Sequence, residues 1–189
     1  MKKRIVVGAS GASGMPVLMK CLELIRESGM YESFLILSES AGITFGQEMR
    51  IPVSEAEKLA DHVLCQEDIG AGPASGSFRT EGMLIVPCSM KTIAGIHAGY
   101  AENLILRAAD VTIKEQRTLV LAARETPLSP IHLRNLHELS MIPGVRIIPP
   151  MMTFYHMPES IDEMVYHVAA KLVEPFGIEA KEYRRWNGL

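Results

Sequence analysis

Short apolar runs alternate with longer amphipathic segments along most of this chain. The runs predict strands at Arg4–Val7, Phe34–Leu37, Met83–Val86, Leu119–Ala123 and Val145–Ile148. Runs without a polar face are typical of strands that are covered on both sides in a parallel sheet. Apolar residues at helical spacing predict helices between them, one ending near Ser28 and a last one between Ser160 and Pro175. This alternation predicts an α/β fold, a single domain with a doubly wound parallel sheet and helices on both faces.

The stretch from residue 38 to residue 87 has a less regular pattern. A short helix after Ser38 carries Glu48, and the capping box at 54–57 predicts a second helix that ends near Leu64. Glycine, proline and serine are frequent from 66 to 77, which predicts a loop over the sheet edge, either a lid or a plain surface connection. Pro87 is predicted to end the strand that begins at Met83.

The turns that follow the predicted strands carry polar side chains. The first turn, Gly8 to Gly14, has glycines three apart rather than the spacing of a dinucleotide fingerprint, and Ser38 stands where a ribose-binding acid is expected. A mononucleotide therefore fits better than a dinucleotide. Helix starts favour negative charge, so a phosphate or an electron-rich ring edge is the expected ligand. The polar residues expected at one crevice are Ser10, Ser38, Cys88, Ser89, Thr92, Arg124, Glu125 and Tyr155.

Cations and carboxylates add candidate chemistry to these turns. Arg124 and Lys114 are predicted phosphate ligands, because guanidinium offers two parallel donors and ammonium a point charge. Glu48 or Glu125 is a candidate general acid or base, if burial raises its pKa toward neutrality. The alternative interpretation is an ordinary set of strand-turn-helix units with capped ends.

Composition excludes several classes of function. The chain has 189 residues, which fits one domain, and its net charge of −3 without a basic block argues against nucleic acid. Apolar runs fall short of the ~18 residues of a membrane helix, so we expect no membrane contact and a cytoplasmic location. Three distant cysteines and six histidines without ligand spacing indicate no disulfide framework and no metal site. The apolar fraction of 48% leaves surface for sister subunits to cover.

Together, the motifs identify a family resemblance over nearly the whole chain. It resembles the UbiX/Pad flavin prenyltransferases, and its ending from Arg184 to Leu189 is similar to the subgroup that is classed with the phenolic or hydroxyarylic acid decarboxylases. The motifs, in order, are Gly8-Ala-Ser-Gly-Ala, Pro73-Ala-Ser-Gly-Ser, Pro87-Cys-Ser-Met-Lys-Thr, Asn103 through Arg107-Ala-Ala-Asp-Val and Lys114-Glu, Arg124-Glu-Thr-Pro-Leu-Ser, Ile131-His-Leu and Phe154-Tyr-His.

The resemblance implies a Rossmann-like, flavodoxin-like subunit that binds FMN and assembles into a homododecamer. Its members transfer a dimethylallyl group from dimethylallyl phosphate to N5 and C6 of reduced FMN, without a metal. The prenylated FMN then serves a UbiD-type aromatic acid decarboxylase. We also expect the C-terminal tail, about 178–189, to pack on the oligomer.

The same resemblance assigns roles residue by residue. Glu48 and Glu125 match the acid/base carboxylates, and Lys114 and Arg124 complete the predicted catalytic set. The donor phosphate is assigned to Lys114, Arg124, Tyr155 and Lys171, where Lys171 replaces the arginine of many members. The FMN contacts are assigned to Gly8, Ala9, Ser10, Ser38, Ser89, Met90, Lys91, Thr92 and Arg107.

Two rivals to the transferase remain at this point. The first is an accessory subunit that binds or delivers flavin to a decarboxylase without chemistry of its own, against which Glu48, Lys114, Arg124 and Glu125 argue. The second is a flavoprotein cysteine decarboxylase of similar fold, which has no need of a phosphate-binding cluster. The donor, monophosphate or diphosphate, and the receiving decarboxylase are open.

Overall fold

A computed structural model describes residues 2–188, and Met1 and Leu189 lie outside the described residues. The strands are β1 Lys3–Ala9, β2 Tyr31–Leu37, β3 His62–Cys65, β4 Gly82–Cys88, β5 Thr118–Ala123 and β6 Val145–Ile147. The helices are α1 Met15–Ser28, α2 Glu39–Glu48, α3 Ser54–Glu57, α4 Met90–His97, α5 Leu104–Lys114, α6 Pro130–Ser140 and α7 Ile161–Val173, with short 3₁₀ turns at Gly72–Ala74 and Glu174–Phe176.

The six strands form one parallel sheet in the order β3-β2-β1-β4-β5-β6. From β1 the chain adds β2 and then β3 on one side. It then crosses to the other side of β1 and adds β4, β5 and β6. The loops after β1 and β4 therefore separate at the carboxyl edge, and such a switch point is where α/β sheets bind ligands. This order confirms the predicted doubly wound sheet.

Two apolar cores cover the two faces of the sheet. Ile5 and Val7 of β1 point into a core shared with α1 and α7, whereas Val6 points into a core shared with α4 and α5. All seven residues of β4 are buried, as expected of a strand with helices on both sides. The prediction of helices on both faces is therefore confirmed.

The prediction of a helix from Ser54 to Leu64 is wrong. Helix α3 ends at Glu57, and its N-cap, Val53, makes no side-chain hydrogen bond to the helix. Residues 62–65 instead form an edge strand that pairs with β2. The Asp61 carboxylate accepts hydrogen bonds from the backbone N–H (2.8 Å) and hydroxyl (3.0 Å) of Ser33 in β2. Pairing along β2 thus outweighs the local capping signal.

Strand β4 also runs past Pro87, which was predicted to end it, as far as Cys88. The pairing with β5 shifts register between Ile85 and Cys88. Such an irregularity accommodates a residue that lacks a backbone N–H. The two extra strand residues are Pro87 and Cys88, and they bring Ser89 to the carboxyl edge of the sheet at the switch point.

Two arginines, one in α5 and one between α5 and β5, bond the loop at 66–80. Arg107 Nε donates to the carbonyl of Ala74 at 3.1 Å, and Arg117 donates to the carbonyls of Gly76 (2.7 Å) and Phe78 (3.1 Å). The Phe78 ring also packs edge-on against Phe34, with centroids 5.1 Å apart. The loop is therefore attached to the face of the sheet that carries α5.

After the last 3₁₀ turn, the segment 178–188, called the tail below, packs along α7 of its own chain. His167 Nε2 of α7 lies 3.1 Å from the carbonyl of Arg184, and the Tyr183 ring lies against the His167 ring. Packing of the tail on neighbouring copies stays a prediction. Over residues 2–188, none of the helices combines the length and the apolarity needed to span a membrane.

Candidate flavin site

Hydroxyl groups hold the two loops at the switch point together. Ser10, 4% exposed, follows β1 and accepts a hydrogen bond from the Ser89 backbone N–H at 2.8 Å. Its hydroxyl lies 3.3 Å from that of Ser89, and the Ser89 hydroxyl in turn caps α4 by accepting from Thr92 N–H. The hydrogen bonds fix the position of the first turn of α4, whose N–H groups lack partners within the helix.

A cavity of about 860 Å³ opens at this switch point. Five of the residues assigned to FMN line it, namely Ser10, Ser38, Ser89, Lys91 and Thr92. The other four do not line it. Gly8 and Ala9 are in β1, Met90 is buried in α4, and Arg107 is one turn into α5, where its side chain bonds Ala74 and Asp110. Their roles in cofactor binding stay predictions.

Two glycines, Gly11 at the cavity wall and Gly8 in β1, have little space for a side chain. A Cβ at Gly11 would lie 2.4 Å from the Cβ of Ser40, and one at Gly8 would lie 3.1 Å from the Met83 side chain. A side chain at Gly11 would therefore force the first turn away from α2. Glycine at both positions keeps the backbone of β1 and its turn close to the cavity.

Glu48 is the last residue of α2, and its carboxylate bonds the end of the turn that joins β1 to α1. Its Oε2 accepts the backbone N–H groups of Gly14 (2.9 Å) and Met15 (2.8 Å), at the start of α1. Burial favours a higher pKa of Glu48, but the Ser13 hydroxyl, these two N–H groups and the charge of Arg124 outweigh it and hold the pKa below its usual value. The expected rise toward neutrality is wrong, and Glu48 is ionised at neutral pH.

The residues after β5 lie at the same edge of the sheet. The Arg124 N–H donates to the carbonyl of Cys88 at 3.0 Å, which ties this loop to the one after β4, and the side chains of Arg124 and Glu125 are exposed. The Cys88 thiol is buried, and burial raises its pKa. A buried thiol of raised pKa is poorly suited to nucleophilic attack.

Lys114 lies elsewhere. It ends α5, so it precedes β5 at the amino edge, whereas Arg124 follows the six residues of β5 at the carboxyl edge. A strand of that length separates them by roughly 20 Å. Lys114 Nζ bonds Glu115 at 2.6 Å and lies beside Gly76 of the 66–80 loop. Arg107, two turns earlier on α5, contacts the same loop at Ala74.

The remaining phosphate candidates also lie apart from Lys114. Lys171 lies in the last turn of α7, on the face of the sheet opposite α5, and bonds Glu174 at 2.6 Å. Tyr155 lies in the connection from β6 to α7 and is 56% exposed. Within one copy of the chain, the four predicted phosphate ligands Lys114, Arg124, Tyr155 and Lys171 do not meet.

Sequence reasoning missed several residues that line the cavity. Gln66, Tyr100 and Asn103 come from the segment after β3 and from the connection between α4 and α5. The Leu104 N–H donates to the carbonyl of Gln66 at 2.7 Å, which brings the two segments together. The available signals were the loop predicted over the sheet edge from residue 66 and the asparagine N-cap of α5. Among residues 2–188 no group of three or more His, Cys, Asp or Glu side chains is placed to hold a metal ion.

The residues present fit a flavin mononucleotide. Serine and threonine hydroxyls and a helix start suit a phosphate, and the walls at Ile105 and Leu106 are apolar, as a ring system requires. A doubly wound sheet with such a cavity at its switch point defines a nucleotide-binding α/β protein of the mononucleotide type.

Comparison with known proteins narrows this class. The model of the family described as Flavoprotein matches residues 1–173. A relative from Streptomyces sp. (strain D7), named a probable UbiX-like flavin prenyltransferase, is 50% identical over 98% of this chain and 92% of its own length.

Two solved structures agree closely in fold. A dodecameric FMN-dependent UbiX-like decarboxylase from Escherichia coli O157:H7 has a TM-score of 0.95 and 46% identity over 98% of this chain and all of that one. AnUbiX (PadA1), solved in complex with FMN and dimethylallyl pyrophosphate, has a TM-score of 0.97 and 42% identity over the whole of both chains. This chain belongs to the Flavoprotein family and, within it, to the UbiX-like flavin prenyltransferases.

Proposed function

We propose that this protein transfers a dimethylallyl group from dimethylallyl phosphate to reduced FMN. The observation that supports it most is the cavity at the switch point, where Ser10, Ser38 and Ser89 meet two helix starts and two apolar side chains. Relatives at 41–50% identity over nearly the whole chain carry the name flavin prenyltransferase. The related AnUbiX structure holds FMN and dimethylallyl pyrophosphate together.

The chain's own residues bind and orient the two partners. The bound reduced flavin supplies the carbon and nitrogen atoms that receive the dimethylallyl group. Ser10, Ser89 and the first turn of α4 hold its phosphate, and glycines at 8 and 11 allow close approach. The apolar wall excludes water from the reacting atoms, which strengthens every charge interaction in the site.

Cations at the donor phosphate assist cleavage of the carbon–oxygen bond, because the leaving phosphate takes both electrons of that bond. We assign this task to Lys114, Arg124 and Lys171, with Tyr155 as a hydroxyl donor. We assign the role of proton acceptor to Glu48, which is ionised and lies within the field of the Arg124 charge. Glu125, exposed beside Arg124, is the second carboxylate of the proposed pair.

Because these phosphate ligands do not meet within one copy, we propose that neighbouring copies complete the donor site. A related structure is dodecameric, and exposed apolar side chains lie around the connection from β6 to α7, namely Met151, Met152, Phe154, Met157 and Ile161. We propose a homododecamer for this chain, with Lys114 of one copy facing Arg124 of another, and a UbiD-type decarboxylase as the recipient of the product.

The direct test is anaerobic incubation of the protein with reduced FMN and dimethylallyl phosphate, followed by mass spectrometry of the released flavin. A mass gain of one five-carbon unit supports the transferase. Flavin that stays unmodified with both the mono- and the diphosphate donor favours an accessory subunit that only carries FMN.

Complementation tests the shared site. Assemblies that mix Lys114→Ala and Arg124→Ala copies contain some sites with both cations, so they should regain turnover that neither variant has alone. Mixed assemblies as inactive as the two pure variants would contradict a site shared between copies.

A further inference from the structure

The tail runs back along α7, from its carboxyl end toward the connection that precedes it. The Tyr166 hydroxyl of α7 accepts the Glu182 N–H at 3.0 Å, and the Tyr183 and His167 rings lie 4.4 Å apart. Arg184 then donates to the carbonyl of His156 at 3.3 Å. The tail therefore joins the two ends of α7 along one face, next to Lys171 at one end and Tyr155 at the other.

At the far end of this path, Trp186 packs against Tyr155. The two ring centroids are 5.6 Å apart with an interplanar angle of 71°, an edge-to-face arrangement. Tyr155 is 56% exposed, and its other aromatic neighbour is His156, 6.1 Å away. Trp186 is thus the nearer of the two aromatic side chains that contact the Tyr155 ring.

At the near end, Glu174 joins the tail to Lys171. Its Oε2 accepts Lys171 Nζ at 2.6 Å, and its Oε1 is bonded by Arg185 of the tail. These two hydrogen bonds, first that of Lys171 and then that of Arg185, hold the pKa of Glu174 below its usual value. Glu174 therefore carries its charge at neutral pH. Because it bonds both Lys171 and Arg185, it links the Lys171 side chain to the tail.

We propose that the tail positions the donor-phosphate ligands, with Trp186 orienting Tyr155 and Arg185 orienting Lys171 through Glu174. The inference rests on the function proposed above, and Trp186 and Arg185 are positioning residues because they act through their neighbours. Exposed tyrosine and lysine side chains sample several rotamers, and ordering them costs free energy when phosphate binds. Contacts with the tail order these side chains when the protein folds. The donor then binds to side chains that are already in place, and binding loses less free energy to their ordering.

The experiment compares Trp186→Ala with Trp186→Phe and with Lys181→Gln, a charge change in the same tail. We expect Trp186→Ala to raise the KM for dimethylallyl phosphate by about 3- to 10-fold, the range of an aromatic pair. The kcat and the Kd for FMN should stay within about twofold, and Trp186→Phe should restore most of the lost affinity. Lys181→Gln should match the wild-type protein.

A second variant avoids the bulk of the tryptophan. Arg185→Gln should raise the same KM, whereas in a Lys171→Ala background it should have no further effect. Likewise, Trp186→Ala should add nothing to Tyr155→Ala. This non-additivity separates positioning from a general loss of structure, because a general loss would add to any background. Full additivity in both pairs, or an unchanged KM in Trp186→Ala, would overturn the proposal.

Direct binding separates this inference from the proposed function. Calorimetric titration of the FMN-loaded protein with dimethylallyl phosphate gives a Kd whether or not the group is transferred. A wild-type protein that binds the donor without transfer refutes the function, and a weaker Kd in Trp186→Ala still supports the role of the tail. Transfer with equal Kd in both proteins refutes the tail alone, and a wild-type protein that does not bind the donor refutes both.

Discussion

Replacement of Glu48 by glutamine should lower the free energy of unfolding of the protein. The carboxylate accepts two backbone N–H groups at 2.9 and 2.8 Å, at the start of the 14-residue helix α1. A hydrogen bond to a charged group contributes about 1.5–3 kcal/mol, and a negative charge at a helix start about 0.3–1 kcal/mol. Glutamine keeps an acceptor oxygen but loses the charge, so we expect a loss of about 1–2 kcal/mol in the free energy of unfolding.

The assay is urea unfolding at fixed protein concentration, because the stability of an assembly depends on concentration. Glu27→Gln is the matched control, since this exposed carboxylate lies near the opposite end of α1. It should change the free energy of unfolding by less than about 0.5 kcal/mol. Equal losses in the two variants would refute the assignment of Glu48 as the group that holds the first turn.

The pH dependence gives an independent check of the same carboxylate. The pKa of Glu48 is lower in the folded protein than in the unfolded chain, where it is about 4.3. Its contribution is therefore fully present above that unfolded value and is lost as the pH falls through the folded value. The difference between wild type and Glu48→Gln should be largest at neutral pH and shrink in acid. A difference that stays constant down to about pH 3 would contradict the argument.

Three further substitutions test other parts of the structure. Lys114→Ala should leave FMN bound, by flavin absorbance, and lower turnover by about 10²-fold; unchanged turnover with dimethylallyl phosphate contradicts its role. Gly11→Ala places a Cβ 2.4 Å from that of Ser40, so we expect a loss of about 1–3 kcal/mol and weaker FMN binding; a wild-type melting temperature and FMN Kd would count against it. Leu84→Ala, in fully buried β4, should cost about 2–5 kcal/mol in urea unfolding, and a cost under about 1 kcal/mol would mean that the two-faced core is misassigned.

The parts of the fold that the sequence predicted are those with a strong local pattern. Buried strands such as β4 and β5 are continuous apolar runs, and α1 ends at Gly29 in the left-handed conformation that glycine favours. Strand β3 has the opposite character, because three of its four residues are exposed. An exposed edge strand lacks the apolar run, and its pairing with β2 is a long-range contact that no local signal reports.

The candidate site divides in the same way. Ser10, Ser38 and Ser89 were found because each follows a predicted strand, and carboxyl ends of parallel strands share one edge. Gln66 and Tyr100 were not found, because they reach the cavity from connections whose path depends on tertiary contacts. The same hydrogen bonds that bring Glu48 to Gly14 also reverse the expected pKa shift. Burial alone is visible in a sequence pattern, whereas the donors that oppose its effect are not.

The separation of Lys114 from Arg124 has the most consequence for function. Ten positions apart in sequence, the two cations lie at opposite edges of the sheet, because the intervening residues cross it as β5. Each is held by local partners, Lys114 by Glu115 and Arg124 through its backbone by Cys88. A donor site that needs both therefore requires contact between copies, whereas Ser10, Ser38 and Ser89 line the flavin cavity from a single chain. Prenyl transfer should then depend on assembly.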